Sequence, residues 1–278
     1  MDRTERNGVL IPWFLLSAAA AVALCFLLSL RGWAFAGMLV VFFVAAFAAF
    51  WLLLALFVLV ASRFIDPNKP VEHRSAFCAA IVNYVMALLV ATARIRVHVE
   101  GDELVPAEQR FLVVCNHRSN FDPLVLGWVL RRFEVAFISK PENFKIPAVG
   151  RIIHQACFLP IDRENDRAAL KTILAAIDLI KRGEVSIGVF PEGTRHAGTE
   201  LLPFRNGAFK IAQRAGCPVL IAALTGTDEV RRRFPWRATD VRLRFVDVID
   251  GARAAGMKTS EMGELARTCM TFALSAAS

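Results

Sequence analysis

The chain has 278 residues, 56% of them apolar, with a mean hydropathy of +0.47 and a net charge of +8. That composition is too apolar for an ordinary soluble domain and too basic to be indifferent to anions. Nucleic acid is the weakest of the anionic partners, because the chain carries no zinc-finger, RNP-type or helix-turn-helix signature and begins with a strongly hydrophobic segment.

The excess of apolar residues lies in the first sixty-odd positions. Gly8 to Leu30 holds no charge, Arg31 interrupts, and Trp33 to Ser62 is a second uncharged run. Val9–Leu30 would reach ~33 Å as a helix, enough for a hydrocarbon core of ~30 Å. The second run is longer than one crossing needs and can tilt. A cleaved signal peptide fits poorly, because its apolar region would be only ~7–15 residues long. The expectation is a two-helix transmembrane hairpin turning at Arg31-Gly32. Arg3 and Arg6 precede the first span, and Arg63, Lys69 and Arg74 follow the second. The positive-inside rule then puts both ends, and the body, on the cytoplasmic side of a cell (inner) membrane. Residues 1–62 carry three arginines against one aspartate and one glutamate, a net +1, which leaves +7 for the body.

Asp66-Pro67-Asn68-Lys69-Pro70 has the turn chemistry of a linker. The domain division expected is 1–74 for hairpin and linker and 75–278 for the body. Ser75 to Ala93 is apolar without a clean polar face, and reads as an interfacial helix or a core helix. From Arg94 short strands alternate with helices. Strands are expected at 94–99, 111–115, 134–139, 157–161, 185–190, 219–224 and 241–248. Helices are expected at 123–131, 146–155, 166–182, 206–215 and 260–277. That alternation predicts an α/β body with a largely parallel sheet flanked by helices.

The chemistry concentrates in two loops that follow hydrophobic strands. In open α/β sheets ligands gather at the carboxyl ends of strands. The first loop is Asn116-His117-Arg118-Ser119-Asn120-Phe121-Asp122. Asp122-Pro123 reads as an N-cap followed by proline at the first helical position. A strand-to-helix turn lets the Asp122 carboxylate fold back onto the His117 imidazole, and a histidine so held can take a proton from a hydroxyl. The second loop is Phe190-Pro191-Glu192-Gly193-Thr194-Arg195. There Gly193 permits close backbone approach and Arg195 offers a fork of donors to a phosphate or carboxylate. Taken singly, each has a plainer reading: a helix cap, an ordinary loop histidine, a turn, a surface ion pair. No G-x-S-x-G elbow is present, and Ser119 reads as a turn-stabilising hydroxyl. The base would therefore activate the substrate's own hydroxyl. The six cysteines form no C-x-x-C pair and read as small core residues of a reducing compartment; the five histidines are scattered, so no metal site is expected.

Together these blocks resemble the glycerolipid acyltransferase superfamily, most closely its 1-acyl-sn-glycerol-3-phosphate acyltransferases. Phe158-Leu159-Pro160-Ile161-Asp162-Arg163 is similar to that family's middle block and Cys217-Pro218-Val219-Leu220-Ile221 to its last. The similarity runs from about residue 95 to 225, with the blocks in order. The resemblance implies a glycerol-3-phosphate acyltransferase-like fold, His117 as general base and Asp122 as its partner. It implies an acceptor site at Glu192, Gly193, Thr194 and Arg195, with Arg163 as second phosphate contact and Lys140 as a weaker one. Asn116, Ser119, Pro191 and Pro218 support the motifs. Glu192 is expected to hold Arg195 or a glycerol hydroxyl. His196 and Ala222 depart from the family pattern, which often has serine and proline there. The implied reaction moves an acyl chain from acyl-CoA or acyl-carrier protein to a lysophospholipid hydroxyl, beside membrane lipids, with no cofactor and no metal. Another lysophospholipid, a lyso-aminolipid or a sterol-like alcohol as acceptor, slow thioester hydrolysis, and a non-catalytic membrane scaffold remain as alternatives.

Overall fold

A computed structural model describes residues 3–66, 71–196 and 200–275. Pro67 to Pro70 of the expected linker lie outside the described residues, so Lys69 of the orientation argument does too. Arg3 and Arg6 are described as helix backbone alone.

The N-terminus is a helical hairpin. Helix α1 spans Arg3–Leu27 and α2 spans Gly32–Arg63, and the turn falls where Arg31 interrupts the apolar run. Both helices are long and apolar enough to cross a membrane. Their outer faces carry large apolar side chains, with Phe26 71%, Leu27 79% and Leu52 71% exposed. Apolar surface on that scale fits association with lipid. Helix α3, Ala76–Thr92, ties the hairpin to the body. Its N-terminus is capped by Ser75, which accepts from the Cys78 N–H. Trp13 donates to the Tyr84 hydroxyl at 2.6 Å, and Phe57 meets Phe77 edge-on at 6.4 Å. Its inner face, including Met86, Ala87 and Val90, is buried in the core.

Among the described residues, seven strands form one sheet in the order β1-β7-β6-β2-β5-β3-β4. These are β1 Ile95–Glu100, β2 Leu112–Cys115, β3 Val135–Ser139, β4 Leu159–Pro160, β5 Ser186–Val189, β6 Val219–Thr225 and β7 Thr239–Ile249. Strands β6, β2, β5, β3 and β4 are mutually parallel; β7 pairs antiparallel with β6, and β1 runs parallel to β7. The central strands β2 and β5 are buried on both faces, which is why they read as continuous apolar runs. Strand β7, toward the edge, alternates buried and open positions for most of its length.

The connecting helices are α4 Asp122–Val129, α5 Pro141–Lys145, α6 Val149–Gln155, α7 Asp166–Lys181, α8 Lys210–Ala215, α9 Val230–Arg233, α10 Gly251–Gly256 and α11 Thr259–Ser275. Helix α7 starts where Asn165 accepts from the Ala168 N–H, and buries one stripe containing Ile173, Ala176, Ile177 and Ile180. Three expectations need correction. The helix expected over 146–155 starts only at Val149, because Ala148 takes a positive φ of 64° and parts it from the short helix Pro141–Lys145 before it. The strand expected over 157–161 shrinks to Leu159–Pro160, because Cys157 is left-handed as well (φ 66°) and cannot extend. The helix expected over 206–215 begins as a 3-10 turn at Asn206–Phe209 before α8.

Candidate active site

The topology brings the sequence motifs to one edge. Five parallel strands point their carboxyl ends the same way, and each delivers a loop there. The His117 loop leaves β2 and the Glu192 loop leaves β5, its immediate neighbour, with Val114 opposite Val189. Lys140 follows β3 and Arg163 follows β4, which pair at Ser139 and Pro160. Thr227 follows β6, on the other side of β2.

His117 Nδ1 lies 2.8 Å from Asp122 Oδ2. The same oxygen accepts the Arg118 and Ser119 N–H groups at 2.6 and 2.7 Å, and Oδ1 accepts the Thr227 hydroxyl at 2.5 Å. Asp122 is 1% exposed, so these donors stand in for water. An oxygen that already accepts two backbone N–H groups is matched by a protonated Nδ1, and in the neutral ring that leaves Nε2 free to accept a proton. The reading of Asp122 as an N-cap is corrected here. Phe121 occupies the cap position, no side chain caps α4, and the Asp122 carboxylate points back into the preceding loop. His117 stacks on Phe190 at 4.3 Å, and Phe190 in turn on Phe137. Phe137 lies over β5 at Gly188, where an added Cβ would come within 2.5 Å of the ring.

Glu192 is also corrected. Among the described residues it makes no bond to Arg195, the first of the two partners expected for it. It is 6% exposed, and its two oxygens accept the His117 N–H at 2.7 Å and the Leu202 N–H at 3.0 Å. A buried carboxylate with both oxygens so engaged clamps the two motif loops together, and the His196 N–H to His117 carbonyl bond at 3.0 Å closes the same junction. Arg195 instead donates to Asn120 Oδ1 and is exposed. Gly193 has φ +74° and sits over the Arg205 side chain, whose Nε lies 2.8 Å from where a Cβ would stand; a side chain there would strain the backbone and have to displace Arg205. Asn116 locks the loop to β6, donating to the Leu224 carbonyl at 2.9 Å and accepting its N–H at 2.8 Å. The Ser119 hydroxyl accepts the Phe121 N–H within the turn. Pro191 and Pro218 each supply a carbonyl, to the Arg205 and Leu112 N–H groups.

These loops line a cleft of about 400 Å³ that includes His117, Asn120, Lys140, Arg163, Thr194 and Arg195. Among the described residues no carboxylate lines it to match its cations. Burial, and then the neighbouring Arg205 guanidinium, push Arg163 below its ordinary pKa. Like charges held together in this way attract an anion. Cys115, at the end of β2, is no rival nucleophile. Burial and the charges of Asp122 and Glu192 push its thiol well up. Among the described residues no cluster of His, Cys, Asp and Glu could hold a metal ion.

Sequence reasoning missed Thr227, because a lone threonine a hundred residues from its partner carries no local signal. Thr227→Val keeps the shape and removes the donor to Asp122. We expect kcat to fall up to about tenfold with KM unchanged, and Thr227→Ser to restore it. Unaltered turnover in the valine variant would show that this bond does not position the pair.

A histidine-aspartate pair facing a cationic cleft, on the carboxyl edge of a parallel sheet, fits a group-transfer enzyme that activates a hydroxyl without a nucleophilic serine of its own. Comparison with known proteins narrows this. The family model described as Acyltransferase matches residues 96–224. The 1-acyl-sn-glycerol-3-phosphate acyltransferase of Bacillus subtilis (strain 168) is 31% identical over 158 residues, covering 57% of this chain and 74% of that protein. The protein of that name from Cocos nucifera is 32% identical over 146 residues, covering 52% of this chain and 45% of its own length. The crystal structure of the 1-acyl-sn-glycerophosphate (LPA) acyltransferase PlsC from Thermotoga maritima superposes with a TM-score of 0.56 at 26% identity, covering 80% of this chain and 87% of that one. The chain belongs to the acyltransferase family.

Proposed function

We propose that the protein transfers an acyl chain from acyl-CoA or acyl-carrier protein to the free hydroxyl of 1-acyl-sn-glycerol-3-phosphate, giving phosphatidic acid. The observation that carries this reading is the His117–Asp122 pair beside a cleft that also holds Lys140, Arg163 and Arg195. The names of the similar proteins support the choice of acceptor.

In this mechanism the acceptor's phosphate lies against the cationic wall, with its hydroxyl toward His117. Nε2 takes the hydroxyl proton as the oxygen attacks the thioester carbonyl. Asp122 holds the ring in its tautomer and stabilises the imidazolium. The C–S bond then breaks, an ester C–O bond has formed, and the proton passes from His117 to the departing thiolate. Phosphate binding would align the attacking oxygen before the chemistry begins. The test is a panel of acyl-CoA and acyl-carrier-protein donors against several lysolipids, with products identified by mass spectrometry. Ester formation on lysophosphatidate above all other acceptors supports the proposal; preference for a neutral or amino-lipid acceptor overturns it.

The hairpin is further proposed to span the membrane twice, with the body on the cytoplasmic side. Protease added on that side should digest the body, and protease added on the other should leave it whole. The reverse pattern would overturn the orientation. Deleting residues 1–62 should weaken membrane binding without abolishing it, since the basic body still meets anionic lipid.

A further inference from the structure

The connection from β6 to β7 carries Arg231-Arg232-Arg233-Phe234-Pro235-Trp236-Arg237, and every one of these residues is exposed. Trp236 is 84% exposed and Phe234 46%. Nothing in the catalytic reading uses them. Arg232 and Arg233 pair with Glu229, whereas Arg231 and Arg237 make no side-chain ion pair or hydrogen bond among the described residues.

The position of this loop is fixed at both ends. It starts four residues after Thr227, which binds Asp122, and because β7 runs antiparallel to β6 it ends on the same edge of the sheet. It is also tied to the end of α3. Arg94, the second residue after that helix, donates to the carbonyls of Pro235 and Trp236 at 3.1 and 3.2 Å. Helix α3 lies along the hairpin in a definite direction. Phe77 meets Phe57 of α2, and Tyr84 bonds Trp13, which stacks on Phe50 of α2. Going from Phe77 to Tyr84 therefore tracks α2 from Phe57 back to Phe50, toward the hairpin turn. The far end of α3, with Arg94 and the loop it holds, lies on the side toward which the hairpin projects. The loop, the edge bearing His117 and the apolar hairpin thus face one way.

We infer that residues 231–237 are a membrane-docking loop, which seats Trp236 and Phe234 at the bilayer interface and its arginines against anionic lipid headgroups. Tryptophan favours that interface because its ring is apolar and its N–H is not, and arginine can bury its stem while its head stays with phosphates. Docking there would hold the cleft edge against the surface from which a lipid acceptor must enter. An acidic protein could also answer the charge. The two exposed aromatic rings and the shared direction with the hairpin favour lipid.

The test uses the full chain in vesicles of phosphatidylcholine alone, or of three parts phosphatidylcholine to one part phosphatidylglycerol, doped with lipid brominated near the headgroup. The chain has five tryptophans, so the Trp236 signal is read as the difference between the intact chain and Trp236→Phe. Trp236 should be quenched by the brominated lipid, several-fold more in the anionic vesicles, each arginine adding about fivefold to local partition. Replacing Arg231, Arg232, Arg233 and Arg237 with glutamine should remove that excess. The Arg231→Gln, Arg237→Gln pair should remove much of it, because those two are not shared with Glu229. A Trp236 signal quenched by aqueous iodide and untouched by brominated lipid in both vesicles would overturn the inference. So would a loop shielded from iodide by acidic acyl-carrier protein but never by lipid, which would make it the donor's docking site. The readout does not depend on which acceptor is acylated, so its failure and that of the proposed reaction are distinguishable.

Discussion

His117→Ala is expected to lower acyl transfer by about 10²–10⁴-fold, the usual cost of removing a positioned general base, while the protein stays folded. The fold should survive because the ring is partly exposed at the cleft and the loop is held by other bonds. Glu192 takes the His117 backbone N–H, and Asp122 keeps the Arg118 and Ser119 N–H groups and the Thr227 hydroxyl. None of these depends on the imidazole. The loss should therefore fall on kcat, with little change in either KM. Asp122→Asn is expected to be as damaging for a different reason. An amide in that site turns one acceptor into a donor facing donors, which disturbs the tautomer and the buried turn together. The measurement is initial rate on lysophosphatidate, with circular dichroism as the control for folding. Near-normal turnover in the His117→Ala protein would sink the mechanism.

Arg195 should show the second-largest effect, and it should appear in the acceptor. Arg195 is exposed at the cleft and touches Asn120 rather than any carboxylate, so its charge is available to an incoming phosphate. A guanidinium can bind two phosphate oxygens at once. Removing one charge-assisted contact is worth roughly 1.5–3 kcal/mol, so Arg195→Ala should raise the acceptor KM by about ten- to over a hundredfold. Arg195→Lys keeps the charge and loses the fork, and should cost less. If phosphate binding also aligns the hydroxyl with His117, the alanine variant will lose kcat as well. A two-substrate kinetic matrix decides it. A raised donor KM with an unchanged acceptor KM would place the donor's phosphates on this loop instead.

Much of this was legible in the chain itself. Two uncharged apolar runs broken at Arg31 give two helices and a turn, because at ~1.5 Å per residue each run is long enough as a helix to match a hydrocarbon core of ~30 Å. The alternation of short apolar runs with helical stripes gives a parallel sheet, because strands covered on both faces have no polar side. The site loops were legible as motifs, since each follows a buried strand. What local pattern could not show was who holds whom. Asp122-Pro123 looks like a helix cap from sequence, and Glu192 looks like a partner for Arg195. Each carboxylate turns elsewhere because the loop is buried and its backbone N–H groups have no water to bond.

The two apolar helices, most of the strands and the residue types of the cleft follow from periodicity, length and side-chain chemistry over a few neighbouring positions. Only the tertiary structure decided that Thr227 completes the Asp122 site, that Glu192 clamps the His117 loop, and that β7 runs antiparallel beside β6. It also decided that the basic aromatic loop shares an edge with His117 and a direction with the hairpin. Those facts depend on strand order and on contacts between residues far apart in the chain. No local preference encodes them; they are fixed when the buried faces of the sheet and helices close on one another and each buried polar group must find its partner.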